Sequence, residues 1–140
     1  NKLGLLNPVK EDEHLISKLL TMMETYHADY TNTFSALTIN KSCCDSLFNS
    51  KEFKKWKTKW LERIGNNEDS YRIMKMNNPI YIPRNHLVES ALNNAINGNK
   101  EEFDKLLHQM SNTYEYEENF DEFQTTPDGF DESYKTFCGT

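Results

Sequence analysis

The sequence contains few of the residues on which most enzyme sites depend. Its 140 residues include only five glycines, all isolated from one another. A loop that cradles phosphates needs several glycines close together, so this sequence has no such loop. No serine or cysteine is accompanied by a recognisable general base. We therefore expect no catalytic residue and no cofactor-binding residue within this chain.

Cysteines and long apolar runs are also scarce. The three cysteines are Cys43, Cys44 and Cys138, an odd number, and a disulfide between neighbours closes a strained ring. The histidines do not stand at metal-ligand spacings from these cysteines: His14, His27, His86 and His108. No apolar stretch approaches the roughly 18–20 residues needed to cross a bilayer. These absences favour a cytoplasmic protein with no metal site and no membrane partner.

Basic residues are missing from one end of the chain. The whole sequence has 16 basic and 22 acidic residues, a net charge of −6. Residues 114–140 contain eight acids and only Lys135, a net of −7, so residues 1–113 carry +1. Seven aromatic residues lie in the same acidic segment, too many for an ordinary disordered tail. We expect a helical body over 1–113, a C-terminal arm over 114–140 that packs on it, and no nucleic-acid partner.

Apolar residues at helical spacing are what the sequence has in quantity. Three stripes predict amphipathic helices whose apolar faces form the core. They are Leu15, Leu19, Met22, Met23 and Tyr26; then Tyr30, Phe34 and Leu37 behind the capping residue Asp29; then Phe53, Trp56, Trp60 and Ile64 between Ser50 and Gly65. We expect the threonines of the second helix to face solvent.

Lysines surround the two tryptophans of the third stripe, at positions 54, 55, 57 and 59. Lysines beside aromatic rings could form a platform for single-stranded nucleic acid. The tryptophans, however, share the apolar stripe and should point inward, while the lysines form a solvated face. We therefore favour a structural role for this helix.

A proline-bounded segment, Asn78-Pro79-Ile80-Tyr81-Ile82-Pro83-Arg84-Asn85-His86, interrupts the helical pattern. Its prolines disfavour helix, and its unbroken apolar residues predict a buried extended strap. Asp69 should cap the helix before it, and Pro83 or Asn85 should open the helix after it. Asn99, with Glu102 three residues later, predicts the cap of a last helix. The resulting prediction is an all-α domain of about six helices.

Three stretches of this sequence resemble the C-terminal region of the selenoprotein O family, whose bacterial members are called YdiU. The first is Asp29-Tyr30-Thr31-Asn32-Thr33-Phe34, the second is Trp56 and Trp60 with Leu61 and Arg63, and the third is Asn78-Pro79 followed by Arg84-Asn85 and the helix containing Ala91 and Ala95. The ending Phe137-Cys138-Gly139-Thr140 is also similar to the family's chain end. Ser35 and Pro83 depart from the family's pattern.

The resemblance implies a function for a larger protein. Members of the family are kinase-like proteins (pseudokinases) that transfer AMP from ATP onto hydroxyl groups of serine, threonine or tyrosine in proteins. ATP and Mg²⁺ or Mn²⁺ would bind the kinase-like core, upstream of this chain, and the partners would be that core and the protein substrates. The one residue to which the resemblance gives a role is Cys138, whose family counterpart is implicated in a redox link with a cysteine of the core.

A second interpretation uses the residues alone. In it the chain is a free-standing helical interaction module whose acidic, aromatic arm binds a basic protein. An upstream kinase-like region in the same reading frame would distinguish the first interpretation from the second.

Overall fold

The computed structural model describes residues 1–41 and 46–116, and these residues form helices joined by turns and short segments, with no strand among them. The helices are α1 (Lys10–Thr25), α2 (Tyr30–Thr38), α3 (Ser46–Asn49), α4 (Lys51–Ile64), α5 (Glu68–Asn77), α6 (Asn85–Ile96) and α7 (Glu101–Ser111). The predicted all-α class is confirmed. The helix beyond the expected six is α3, a single turn that is too short to show a periodic pattern.

Several predictions fall on residues outside this description. Cys43 and Cys44 precede α3 in the undescribed residues 42–45, and Cys138 lies in the undescribed residues 117–140. The packing of the C-terminal arm and the state of these thiols therefore stay predictions.

The chain divides into two compact units, residues 1–80 and 81–140. In the first unit α1 contacts α4, α3 contacts α4, and α2 contacts α5. The buried apolar residues of this unit come from the predicted stripes, from the N-terminal segment and from α3 and α5. They include Leu3, Leu19, Met22, Met23, Phe34, Leu37, Leu47, Phe53, Trp56, Trp60, Ile64 and Met74.

The tryptophans of α4 lie at the centre of this core. Trp56 and Trp60 are 1% and 0% exposed, and their rings stack with centroids 5.9 Å apart and planes 3° apart. Phe53 stacks on Trp56 from the preceding turn. The prediction that the tryptophans point inward is confirmed. Lys57 is partly buried rather than fully solvated, and this burial lowers the pKa of its ammonium group.

The polar side of α2 is buried, so the expectation that it faces solvent is wrong. Thr33, Ser35 and Thr38 are 0%, 5% and 2% exposed. Two of these hydroxyl groups are satisfied because they donate to carbonyls of the preceding helical turn, whereas the Thr33 hydroxyl has no hydrogen-bond partner among the described residues. Thr38 donates to the carbonyl of Phe34 at 2.7 Å, and Ser35 donates to the carbonyl of Asn32 at 3.1 Å.

Two of the predicted helix caps are confirmed. The Asp29 carboxylate accepts the N–H of Asn32 at 2.8 Å, and the Ser50 hydroxyl accepts the N–H of Phe53 at 3.1 Å. Each side chain thereby satisfies one of the backbone donors that the first turn of a helix leaves unpaired.

The other predicted helix starts are shifted by one or two residues. Asn67, not Asp69, caps α5, and its side chain accepts the N–H of Asp69 at 2.9 Å. The residues at the N-caps of α6 and α7 are Arg84 and Lys100, neither of which caps with its side chain. At α7 the predicted capping residue, Asn99, still accepts the N–H of Glu101 at 3.0 Å, so it satisfies a first-turn donor from one residue before the N-cap.

The strap between α5 and α6 carries no helix, as its prolines predict. Ile80 and Tyr81 are 1% and 7% exposed, so its apolar centre is buried, while Ile82 is partly exposed. The boundary between the two units falls between Ile80 and Tyr81.

The second unit contains a helical hairpin in which α6 and α7 pack on each other. The Ser90 hydroxyl donates to the Glu102 carboxylate at 2.7 Å, which joins the two helices. This bond, ahead of a second one from Asn94, lowers the pKa of Glu102. Glu102 therefore bonds α6 instead of completing the capping box predicted with Asn99.

The hairpin has almost no buried interior of its own. Ala91 is its one buried residue, and α7 buries none. Large apolar side chains remain exposed on both helices: Leu92 (47%), Ile96 (83%), Phe103 (38%) and Leu107 (57%).

The central position of Trp60 leads to a stability prediction. Trp60→Ala should lower the free energy of unfolding by about 3–5 kcal/mol, because it removes a fully buried ring and leaves a cavity. Lys54→Ala, on the exposed side of the same helix, should change it by less than about 0.5 kcal/mol. Denaturant unfolding measures both values. Equal effects of the two substitutions would contradict the position of α4.

Candidate functional site

Residues from the family-like stretches of the first unit contact the N-terminal segment, residues 2–9. The ammonium group of Lys2 lies 5.7 Å from the ring centre of Tyr30 and 5.6 Å from that of Phe34, at cation–π distance. It also donates to the carbonyl of Asn77 at 2.8 Å. Partial burial lowers the pKa of Lys2. One lysine thus contacts the start of α2 and the end of α5.

Asn78 fixes the same segment from the strap. Its side chain is fully buried, and its amide donates to the carbonyl of Lys2 and to the hydroxyl of Thr38, both at 2.8 Å. A buried amide needs partners for its polar atoms, and these come from the N-terminal segment and from α2. The position therefore favours asparagine over an apolar residue.

The helix α4 holds the next part of the segment. The indole N–H of Trp60 donates to the carbonyl of Leu3 at 2.9 Å. One turn later, the guanidinium of Arg63 donates to the carbonyls of Leu6 and Asn7 at 2.9 and 3.1 Å. Trp60 and Arg63, both from the second family-like stretch, thus hydrogen-bond the backbone of residues 3–7 and fix its position.

Arg63 also forms an ion pair with Asp12, in which the carboxylate is buried and the guanidinium partly exposed. It donates to both carboxylate oxygens of Asp12, at 2.8 Å through Nε and 2.9 Å through Nη2. The carboxylate accepts the N–H of Val9 at 3.0 Å as well, at the start of α1. Hydrogen bonds from Arg63 lower the pKa of Asp12 most strongly; burial opposes them, and the Val9 bond and the Arg63 charge add to them.

A groove of about 250 Å³ lies between α1 and α4. Its floor is formed by Leu15 and Trp56, whose indole N–H donates to the Leu15 carbonyl at 2.8 Å. Its other lining residues are polar: Glu11, His14, Lys18, Lys55 and Lys59. Sequence reasoning treated the lysines as an ordinary solvated face, because it gave no sign that α1 adds a lysine and a histidine opposite them.

The described residues contain no cluster of histidine, cysteine and acidic side chains that could hold a metal ion. No helix among them is both long enough and apolar enough to cross a membrane. Of the site residues expected from the sequence, Cys138 lies outside the described part of the chain.

The fold and these contacts define an all-α unit whose distinctive residues are structural, since they hold an N-terminal segment against four helices. The sequence model of the family described as "Protein adenylyltransferase SelO" matches residues 1–111. The chain belongs to this family.

Several curated proteins are similar to this chain along nearly all of its length. Proteins named "Protein nucleotidyltransferase YdiU" from Bacillus thuringiensis subsp. konkukian and from Bacillus cereus are 46% identical to this chain over 99% of its length. One with the same name from Clostridium beijerinckii is 46% identical over all of it. The chain spans only about 30% of the length of these relatives.

The Asp12–Arg63 pair should make stability depend on pH. Because the folded state lowers the pKa of Asp12, its stabilising effect is complete above about pH 4 and is lost as the pH falls through the folded value. Asp12→Asn should lower the free energy of unfolding by about 1.5–3 kcal/mol at pH 7. Urea unfolding at several pH values should show this difference shrinking below about pH 4.

Glu13→Gln provides the matched control for this measurement, since Glu13 is the exposed neighbour of Asp12 in the first turn of α1. It should change the free energy by less than about 0.5 kcal/mol. A difference between wild type and Asp12→Asn that stays constant down to pH 2 would contradict the role of the ionised pair.

Proposed function

We propose that this chain is the C-terminal helical part of a protein adenylyltransferase, which transfers AMP from ATP to serine, threonine or tyrosine hydroxyls of proteins. The observation that carries the proposal is the 46% identity to nucleotidyltransferases along 99% of the chain. The kinase-like core, with ATP and Mg²⁺ or Mn²⁺, belongs to the remaining part of the longer protein.

The role of this chain in that protein is to support the core. The relatives are more than three times as long as the part that this chain matches. The hairpin of α6 and α7 exposes Leu92, Ile96 and Leu107 by 47%, 83% and 57%. Exposed apolar side chains grouped on one pair of helices are typical of a surface that another part of a protein covers.

The network around residues 2–9 supports the same role. Trp60, Arg63 and Asn78 all bond the backbone of this segment, and Lys2 bonds the end of α5. A segment held at several points has little freedom to move, so it can transmit a fixed orientation to a neighbouring part of the protein. This is a positioning role and involves no contact with ATP.

The activity can be tested with the intact protein and with ATP labelled on either the α- or the γ-phosphate. AMP transfer retains the α-phosphate on the acceptor protein, so we expect α-label on protein and no γ-label. Autoradiography of the separated proteins, with Mg²⁺ or Mn²⁺ present, makes the comparison.

The control for this experiment is the 140-residue chain alone, which should transfer neither label because its sequence contains no phosphate-binding loop. Label from the γ-phosphate would show phosphoryl transfer instead. Label from neither position with the intact protein, or α-label with the chain alone, would contradict the proposed function.

We also propose a redox role for Cys138 in the intact protein, as the family resemblance implies. Its thiol and a thiol of the kinase-like core would form a disulfide, with two electrons and two protons passing to an oxidant such as oxidised glutathione. Asp131 and Glu132 lie close in sequence and disfavour a thiolate. Reaction would therefore depend on the partner and its surroundings rather than on a low pKa of Cys138.

Peptide mapping of the oxidised intact protein tests this pairing. Cys138 should be linked to a cysteine of the core, and dithiothreitol should release it. Cys138→Ser should abolish the link, whereas Cys43→Ser should leave it in place. Finding Cys138 free while Cys43 or Cys44 carries the bridge would contradict the redox role.

A further inference from the structure

The groove between α1 and α4 is lined by two pairs of nitrogen-bearing side chains. Lys55 and Lys59 lie four residues apart on α4, and His14 and Lys18 lie four residues apart on α1. Residues at this spacing share one face of a helix, so each pair borders the same volume. Three lysines and one acid, Glu11, line this cationic groove, a net of +2 with His14 neutral, whereas the whole chain carries −6.

The lysines of the groove are exposed and are not neutralised by ion pairs. No carboxylate of residues 1–41 or 46–116 forms an ion pair with Lys18, Lys55 or Lys59. Cations that come from two helices and border one volume without a paired counter-charge concentrate positive potential there. The groove therefore attracts anions although the chain as a whole is acidic.

The distance between the two helices is fixed by packing beneath the groove. The indole N–H of Trp56 donates to the main-chain carbonyl of Leu15 at 2.8 Å, which bonds α4 directly to α1. Trp56 is only 1% exposed, so its ring acts as a buried spacer and offers almost no surface to a ligand. Contacts with a ligand would therefore come mainly from the polar side chains that line the groove.

We propose that this groove binds a small polyanion that carries two or three adjacent phosphate groups. A lysine ammonium group is a compact point charge with three donors, which suits phosphate oxygens. The volume of about 250 Å³ lies below the roughly 300–1,000 Å³ of pockets for drug-sized ligands, so it suits a compact anion better than a peptide or a nucleic acid. Several phosphates in one ligand can contact lysines of both helices at once. The proposal goes beyond the proposed function and requires no transfer reaction.

Isothermal titration calorimetry of the 140-residue chain with inorganic triphosphate, at about 50 mM salt and without divalent metal, tests the proposal. We expect saturable binding of one triphosphate per chain, at least tenfold tighter than the binding of single phosphate, because a single phosphate cannot contact both pairs. Lys18→Gln/Lys55→Gln should weaken triphosphate binding at least tenfold, since it removes one cation from each helix. Absence of binding, or triphosphate binding no tighter than that of phosphate, would overturn the proposal.

The matched control is Lys10→Gln/Lys54→Gln, which also removes one lysine from each of α1 and α4 but outside the groove lining. Both of its lysines are exposed. It should alter the affinity for triphosphate less than about twofold. Circular dichroism melting of both variants checks that each is folded. Equal weakening by the two folded variants would overturn the proposal, because it would show attraction to net charge alone.

Substitution of the one acid in the groove lining should have the opposite effect. Glu11→Gln raises the net charge of the lining from +2 to +3, so it should tighten triphosphate binding about threefold or more. Glu13→Gln makes the same change of charge outside the lining and should alter the affinity less than about 1.5-fold. An unchanged affinity in Glu11→Gln would contradict binding within this groove.

Two further ligands test which chemical group is recognised. ATP carries the same chain of three phosphates with a nucleoside attached. Equal or weaker binding of ATP would identify a free polyphosphate as the ligand and tighter binding a nucleotide, and both results keep the phosphate chain as the recognised group. A capped tetraglutamate peptide offers a similar charge on carboxylates and should bind at least tenfold more weakly than triphosphate. If it binds as well, the groove recognises acidic protein segments and the proposal is wrong.

The backbone amide signals in a ¹H–¹⁵N spectrum locate the binding site. Added triphosphate should shift the signals of residues 14–18 and 55–59, which border the groove, more than those of α2 and α5. Lys18→Gln/Lys55→Gln should remove these shifts at the same ligand concentration. Largest shifts in α2 or α5 would place the ligand elsewhere and overturn the proposal.

Discussion

The packing of the first unit depends on the hydrogen bonds that its two buried indole N–H groups make. A buried N–H without an acceptor is costly, and a ring as large as tryptophan cannot easily move toward one. Here the acceptors are main-chain carbonyls, Leu15 for Trp56 and Leu3 for Trp60. The tryptophans therefore do more than fill the core, because they fix α4 against α1 and against the N-terminal segment. The Arg63 bonds extend the same attachment by one turn.

The parts of the fold that could be predicted from the sequence are those set by long apolar stripes. The four apolar positions of α4 repeat over more than two turns, and the structure buries all of them. The burial of Thr38 could not be predicted, because its hydroxyl accepts a hydrogen bond from the Asn78 amide, 40 residues later in the chain. Cap positions failed where two polar residues lay within two positions of each other, as Asn67 and Asp69 do.

The candidate sites divide in a similar way. The family-like stretches could be recognised from the sequence. The backbone of residues 2–9, to which their side chains bond, could not be identified, because a main-chain carbonyl acceptor does not depend on the type of side chain at its position. The cationic groove was hidden for another reason. Two of its three lysines, Lys55 and Lys59 on α4, were visible as part of a lysine run, whereas Lys18 on α1 joins them only through helix packing. Cys138 was found by resemblance, with no signal from its own surroundings.

The bonds between Asn78 and Lys2 have a consequence for the order in which the chain folds. They join positions 76 residues apart, almost the full length of the first unit. Contacts this distant in sequence form late, because the loop-closure entropy must be overcome before they stabilise anything. Residues 2–9 precede the strap in the chain, so during synthesis they cannot acquire these partners until the strap has left the exit tunnel of the ribosome. This segment is thus among the last parts of the first unit to become fixed.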